Sequence, residues 1–184
     1  MTCNDEILSG IPKNALVAAA SIKLVVIDVD GVLTDGSLYF NSNGEFLKTF
    51  NIHDGLGIKL LEKSGVRVGI ITGRFSESLA ARAKELGISF VVQGREDKLT
   101  ALQEVRVKAA IEMQEICYVG DDLPDIAAIQ KVGLGICVAN CNSVVRTFAD
   151  WQTTTSGGSG AVHEVADMIL AAQDKLDTIL AEYI

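Results

Sequence analysis

The sequence lacks any run of apolar residues long enough to span a bilayer. Its start, MTCNDEILSG, lacks the basic segment followed by an apolar one that marks a signal peptide. Cysteine is scarce: Cys3, Cys117, Cys137 and Cys141 form no CxxC pair, which points to reduced thiols in a cytoplasmic protein. An excess of basic residues is also missing. Sixteen Lys+Arg against 24 Asp+Glu give a net charge of −8, which argues against nucleic acid as a partner. An anionic small substrate stays compatible, because a bound metal ion reverses the local sign of a site. There is no internal repeat and no linker. TTTSGGSG (153–160) is the one low-complexity patch and is too short to separate domains. With 184 residues, 48% of them hydrophobic, one sizeable core and a single domain over 1–184 are expected.

What is present is alternation. IKLVVIDV (22–29), VRVGIIT (66–72), ISFVVQ (88–93), EICYVG (115–120) and GLGICVA (133–139) are near-continuously apolar, as parallel strands covered on both faces must be. Between them lie segments of helical spacing at 55–65, 76–87, 97–112 and 123–133, and a last helix is expected from Ala161 to Glu182. Strands alternating with helices predict an α/β doubly wound parallel sheet. One segment breaks the pattern. In 36–51 two alternating runs flank Asn43-Gly44, a favoured turn pair, so a β-hairpin insertion is expected there.

The first strand, in LVVIDVDGVLTDG (24–36), ends in Asp28 and Asp30, although charge at the end of a buried strand is costly. In such sheets, sites form at the carboxyl ends of the strands. Thr72 ends the second strand, Lys98 opens the helix after the third, and Asp121 and Asp122 follow the fourth. Carboxylates gathered there repel unless a divalent cation sits among them, and oxygen-only ligands favour Mg²⁺. The set suits phosphoryl transfer. Asp28 can attack phosphorus, Asp30 can exchange protons with the leaving oxygen and then with water, and Thr72 and Lys98 can hold the non-bridging oxygens. Gly31 and Gly73 let backbone N–H groups approach a phosphate. Cys137 and Cys141 read as core or loop residues, and the apolar stripe of the last helix reads as packing.

DxDGVxTDG, TGR, a lysine and GDDxxD, in this order, resemble the haloacid dehalogenase phosphatase superfamily over nearly the whole chain. The resemblance implies a Rossmann-like fold with Asp28 as nucleophile, Asp30 as acid/base, and Thr72, Gly73 and Lys98 on the phosphate. It also implies Mg²⁺ held by Asp28, Asp121 and the backbone carbonyl of Asp30. Asp122 then acts on the metal through water or through a neighbouring ligand, and Asp125 orients Lys98 or caps the next helix. DVDGVLTDGSLYF, FNIHDGLGIKLL, IITGR and GGSGAVHEV look like the group within it that acts on 3-deoxy-D-manno-octulosonate 8-phosphate. That group lacks a large cap domain and forms homotetramers whose subunits close each other's sites. Leu38, Tyr39, Phe40 and Phe46 of the hairpin suit such a contact. Arginine is the group's usual residue where this chain has His53 and His163. These two histidines, with Gly158 of the glycine-rich loop, are the expected contacts to a phosphorylated sugar acid, and the end of the chain, LAEYI, is a further candidate. An acylneuraminate 9-phosphate is the alternative substrate. A receiver-like or non-catalytic assembly module is the alternative from another class; the two-residue spacing of Asp28 and Asp30 suits turnover instead.

Overall fold

The computed structural model describes residues 3–183. Its strands are β1 (Leu24–Ile27), β2 (Tyr39–Asn41), β3 (Gly44–Leu47), β4 (Arg67–Ile71), β5 (Phe90–Val92), β6 (Ile116–Gly120), β7 (Leu134–Cys137) and β8 (Trp151–Gln152). The helices are α1 (Cys3–Ile7), α2 (Lys13–Ala19), α3 (Ile52–Lys63), α4 (Glu77–Leu86), α5 (Lys98–Ala109), α6 (Ile126–Ile129), α7 (Ser143–Arg146), α8 (Ala161–Ala172) and α9 (Leu176–Leu180). Six strands form one parallel sheet in the order β5-β4-β1-β6-β7-β8, and β2 and β3 form a separate antiparallel hairpin. The fold is the expected doubly wound α/β sheet, Rossmann-like and without a large cap.

The sheet divides the core in two. Along β1, Val25 and Ile27 pack with α3 and α8 on one face, while Leu24 and Val26 pack with α5 and α6 on the other. A strand covered on both faces gains from an apolar residue at every position, which is why LVVI shows no alternation. The register fixes the site. Ile27 pairs with Ile70 of β4 and with Val119 of β6, so all three strands end at the same level. The chain runs outward from β1 through β4 and β5, then returns to β6 on the other flank of β1. That reversal opens the crevice in which α/β sheets bind ligands.

Several boundaries differ from the sequence pattern, each for a local reason. β8 has two residues, too few to show a period. The pattern also does not reveal α1 and α2; the latter buries Ala15 and Ala19. The expected 123–133 helix is α6 preceded by a tight turn at Leu123–Asp125, which Asp125 closes by accepting from the Asp122 amide at 3.2 Å. The expected 161–182 helix breaks in two. Asp174 takes φ +54°, and Lys175 Nζ turns back to donate to the Ser64 carbonyl past the end of α3, at 2.9 Å. In the hairpin Asn41 pairs with Gly44, so the two-residue loop is Ser42-Asn43, one residue earlier than Asn43-Gly44. Gly44 still takes the positive φ, +110°, that favours glycine.

Candidate active site

After Ile27 the chain leaves β1 through a tight irregular turn, Val29–Leu33. The Thr34 hydroxyl accepts from the amides of Gly31 and Gly36 and donates to the Val29 carbonyl, which locks the turn. Gly31 has φ +95°, and a Cβ there would lie 2.1 Å from Asp121 Oδ2. The Asp121 carboxylate is therefore pressed against the backbone that carries Asp28 and Asp30. The glycine-rich loop before α8 supports the same turn from behind. A Cβ on Gly157 would meet the Gly31 carbonyl oxygen at 1.8 Å, and the Gly158 amide donates to the Val32 carbonyl at 2.9 Å.

Beneath the rim lies a charge network. Lys98 Nζ sits 2.8 Å from Asp28 Oδ1 and 2.9 Å from Asp125 Oδ1. Tyr118 donates its hydroxyl to the same Asp125 oxygen at 2.8 Å, while the amides of Asp121 and Asp122 donate to Asp125 Oδ2. Asp125 thus both orients Lys98 and caps the following turn, as expected for it. Burial first, and then the neighbouring Asp125, push Asp28 up to about 6. Burial, Asp28 and Asp125 push Asp121 up to about 7. Burial lowers Lys98, but Asp28 and Asp125 outweigh it and hold the ammonium above its ordinary value.

A third cluster joins the hairpin to the rim. Lys48, buried, donates to Asp30 Oδ1 and lies 3.4 Å from Glu45 Oε1. Arg74 donates to Glu45 Oε2 at 2.9 Å, with its Nε 3.8 Å from Asp30 Oδ2. Sequence reasoning missed Lys48, Glu45 and Tyr118. Lys48 and Glu45 lie in a hairpin whose pattern reads as surface, and Tyr118 lies in a run that reads as plain core. Arg74 was visible in TGR but carried no assigned role.

The structure gathers most of the expected residues. Asp28, Asp30, Thr72, Gly73, Lys98 and Asp121 line one cleft of about 610 Å³, to which Arg74 and Asp125 also contribute. His53 and His163 do not line it. They line a separate cavity of about 790 Å³ beside Trp151 and Asp167, with His163 Nδ1 2.9 Å from the His53 carbonyl oxygen. Gly158 touches the catalytic turn through its backbone; a Cβ there would lie 2.4 Å from the Asp35 nitrogen. Ile184, the last residue of LAEYI, lies outside the described residues.

Asp28, Asp121 and Asp125 each present an oxygen within 4.8 Å of the other two. Asp121 Oδ1 is buried without a hydrogen-bond partner. A buried carboxylate oxygen left bare beside two other acids suits a hard divalent cation. Four donors already occupy Asp125, so Asp28 and Asp121 are the carboxylates with capacity to spare. The Asp30 carboxylate is turned to Lys48, outside that cluster.

A parallel sheet with paired aspartates at its switch point, a buried lysine and a bare metal-type carboxylate defines a phosphoryl-transferring hydrolase of the Rossmann-like class. The comparisons with known proteins agree. A family model described as haloacid dehalogenase-like hydrolase matches residues 88–165. The 3-deoxy-D-manno-octulosonate 8-phosphate phosphatase of Escherichia coli K12 is 44% identical over 164 residues, covering 89% of this chain and 87% of its own. The same enzyme from Yersinia pestis is 45% identical over 159 residues, with 86% and 85% covered. The Moraxella catarrhalis enzyme, solved with a magnesium ion, a phosphate ion and a KDO molecule, superposes with a TM-score of 0.89 at 44% identity over 98% of this chain and 99% of that one. The chain belongs to the haloacid dehalogenase-like hydrolases, in the family of the 3-deoxy-D-manno-octulosonate 8-phosphate phosphatases.

Proposed function

We propose that this chain is a Mg²⁺-dependent phosphomonoesterase that converts 3-deoxy-D-manno-octulosonate 8-phosphate to the free sugar acid and phosphate. The observation that carries the reading is that Asp28 is paired with Lys98 and presents an oxygen within 4.8 Å of the Asp121 carboxylate, whose Oδ1 is bare. Asp28 attacks phosphorus, and the P–O bond to the sugar breaks as an aspartyl-phosphate forms. Asp30 in its protonated form gives a proton to the leaving oxygen; the ion pair with Lys48 belongs to its carboxylate form. Asp30 then takes a proton from the water that attacks phosphorus and frees Asp28 and phosphate. Two of the three Lys98 N–H groups serve Asp28 and Asp125, which leaves the third for a phosphate oxygen beside the Thr72 hydroxyl and the Gly73 backbone. Asp28, Asp121 and the Asp30 carbonyl would hold Mg²⁺, which would supply positive charge to offset repulsion between nucleophile and phosphate.

Arg74 is the cation in the cleft suited to a sugar carboxylate. His53, Gly158 and His163 serve substrate only at a boundary between subunits, so their role belongs with the proposed homotetramer. We take residues 1–184 as one catalytic domain. Unpaired thiols at Cys117, Cys137 and Cys141 support a cytoplasmic setting. Among the described residues no helix is long and apolar enough to cross a membrane.

The test is turnover against octulosonate, acylneuraminate and simple hexose phosphates in Mg²⁺, with and without chelator. The octulosonate ester is expected to give the highest kcat/KM, lost on chelation and restored by Mg²⁺. Asp28→Asn is expected to stay folded and release no phosphate. Near wild-type release by that variant would overturn the assignment of the nucleophile, and a preference for the acylneuraminate ester would overturn the choice of substrate.

A further inference from the structure

Tyr118 lies in the middle of β6 with its side chain fully buried among Leu24, Val26, Leu102 and Ile129. Phenylalanine would fill that space as well. A hydroxyl there is costly unless it is bonded, and its partner is Asp125 Oδ1 at 2.8 Å. The acceptor is the same oxygen that holds Lys98 Nζ. Asp125 comes this close to the strand because residue 120 is glycine; a Cβ on Gly120 would lie 2.5 Å from the Asp125 Cβ. The Asp125 carboxylate is thereby fixed at both ends. Its Oδ2 is held by two backbone amides of the metal-side loop, and its Oδ1 by the core phenol and by the lysine.

We infer that Tyr118 is a positioning residue of the phosphatase, acting through Asp125 to aim the Lys98 ammonium at the transferring phosphate. The inference rests on the phosphatase reading above. The carboxylate would keep its two amide bonds without the phenol, but it could swing about them. Lys98 would swing with it, because the lysine has one anchor on Asp28 and the other on the oxygen that moves. A charge held in place before substrate arrives stabilises a transition state without reorganising, and a loosely held one does not. The hydroxyl therefore acts on catalysis without touching substrate.

The test is a double-mutant cycle of Tyr118→Phe and Lys98→Ala. It is read on kcat/KM for a phosphomonoester the wild type hydrolyses and, because Lys98→Ala turns over slowly, also on the Kd for inorganic phosphate in Mg²⁺. Tyr118→Phe is expected to melt close to wild type, to lose about ten-fold in kcat/KM and to weaken phosphate by a similar factor. Both losses are expected to vanish when residue 98 is already alanine. Three results overturn the inference: Tyr118→Phe within two-fold of wild type on both readouts, equal losses in the two backgrounds, or a Tyr118→Phe protein that fails to fold, since the bond is then architectural. A wild type that hydrolyses no phosphomonoester would instead sink the phosphatase reading and leave the cycle on phosphate affinity to decide the role of Tyr118.

Discussion

Asp28 and Asp121 are held in a place that suits a metal better than it suits them. Their folded values of about 6 and about 7 lie above the ordinary 3.8. Between those limits the folded chain binds more protons than the unfolded one, so the stability of the metal-free protein falls as pH rises. Asp121→Asn removes one of the two groups. From about pH 5 to about pH 8 the metal-free wild type is expected to lose stability relative to that variant, by about 2 kcal/mol after discounting for solvent. Mg²⁺ should close the gap in the wild type and do little for the variant. Melting curves across that range check it, and parallel curves would count against it. These two aspartates were legible in the sequence because charge at the end of an apolar run has few structural reasons to exist. Lys48 and Tyr118 were not, because their importance comes from partners 18 and 7 residues away.

At the scale of elements, α3 and α8 are bound by one carboxylate. Asp54, in the first turn of α3, accepts from the amides of Val162 and His163 at 2.9 and 3.2 Å and so caps a helix more than 100 residues on. The two helices come close enough that a Cβ on Gly57 would meet the His163 Cα at 2.8 Å. This cap holds the start of α8, and with it the glycine-rich loop that supports the catalytic turn. Asp54→Ala is expected to lower unfolding free energy by about 1–3 kcal/mol in urea titration, and Asp54→Asn by less, since the amide oxygen can still accept. An unchanged midpoint for Asp54→Ala would show the cap to be idle. The glycine-rich loop was visible in the sequence, but its role was not. The α8 N-terminus receives Asp54, and Gly157 and Gly158 come into close backbone contact with the turn from a segment more than 120 residues away in the chain.

For the whole molecule, the hairpin is the element that the proposed assembly would cover. Phe40 and Phe46 are each 58% exposed, and Leu38, Tyr39 and Leu47 are exposed beside them. An apolar surface of this kind on a projecting hairpin suits burial against another copy. It also stands next to the cleft, since Glu45, close to the hairpin loop, reaches Arg74 and Lys48, just past β3, reaches Asp30. Light scattering at assay concentration is expected to give the mass of a tetramer. Phe40→Ser with Phe46→Ser is expected to lower that mass and to reduce turnover several-fold while leaving the melting of each subunit nearly intact. A monomeric wild type with full activity would remove the assembly from the proposal.

The sequence by itself determined five of the six sheet strands, the hairpin and the aspartates at the strand ends. Strand and helix periods are local, and carboxylates at strand ends stand out against apolar runs. Tertiary structure alone decided which cation holds which acid, that Asp125 carries four donors, and that both histidines fall in a separate cavity. Those outcomes depend on register between strands far apart in the chain and on backbone approaches at glycines too close for a Cβ, and neither leaves a periodic trace in the order of residues.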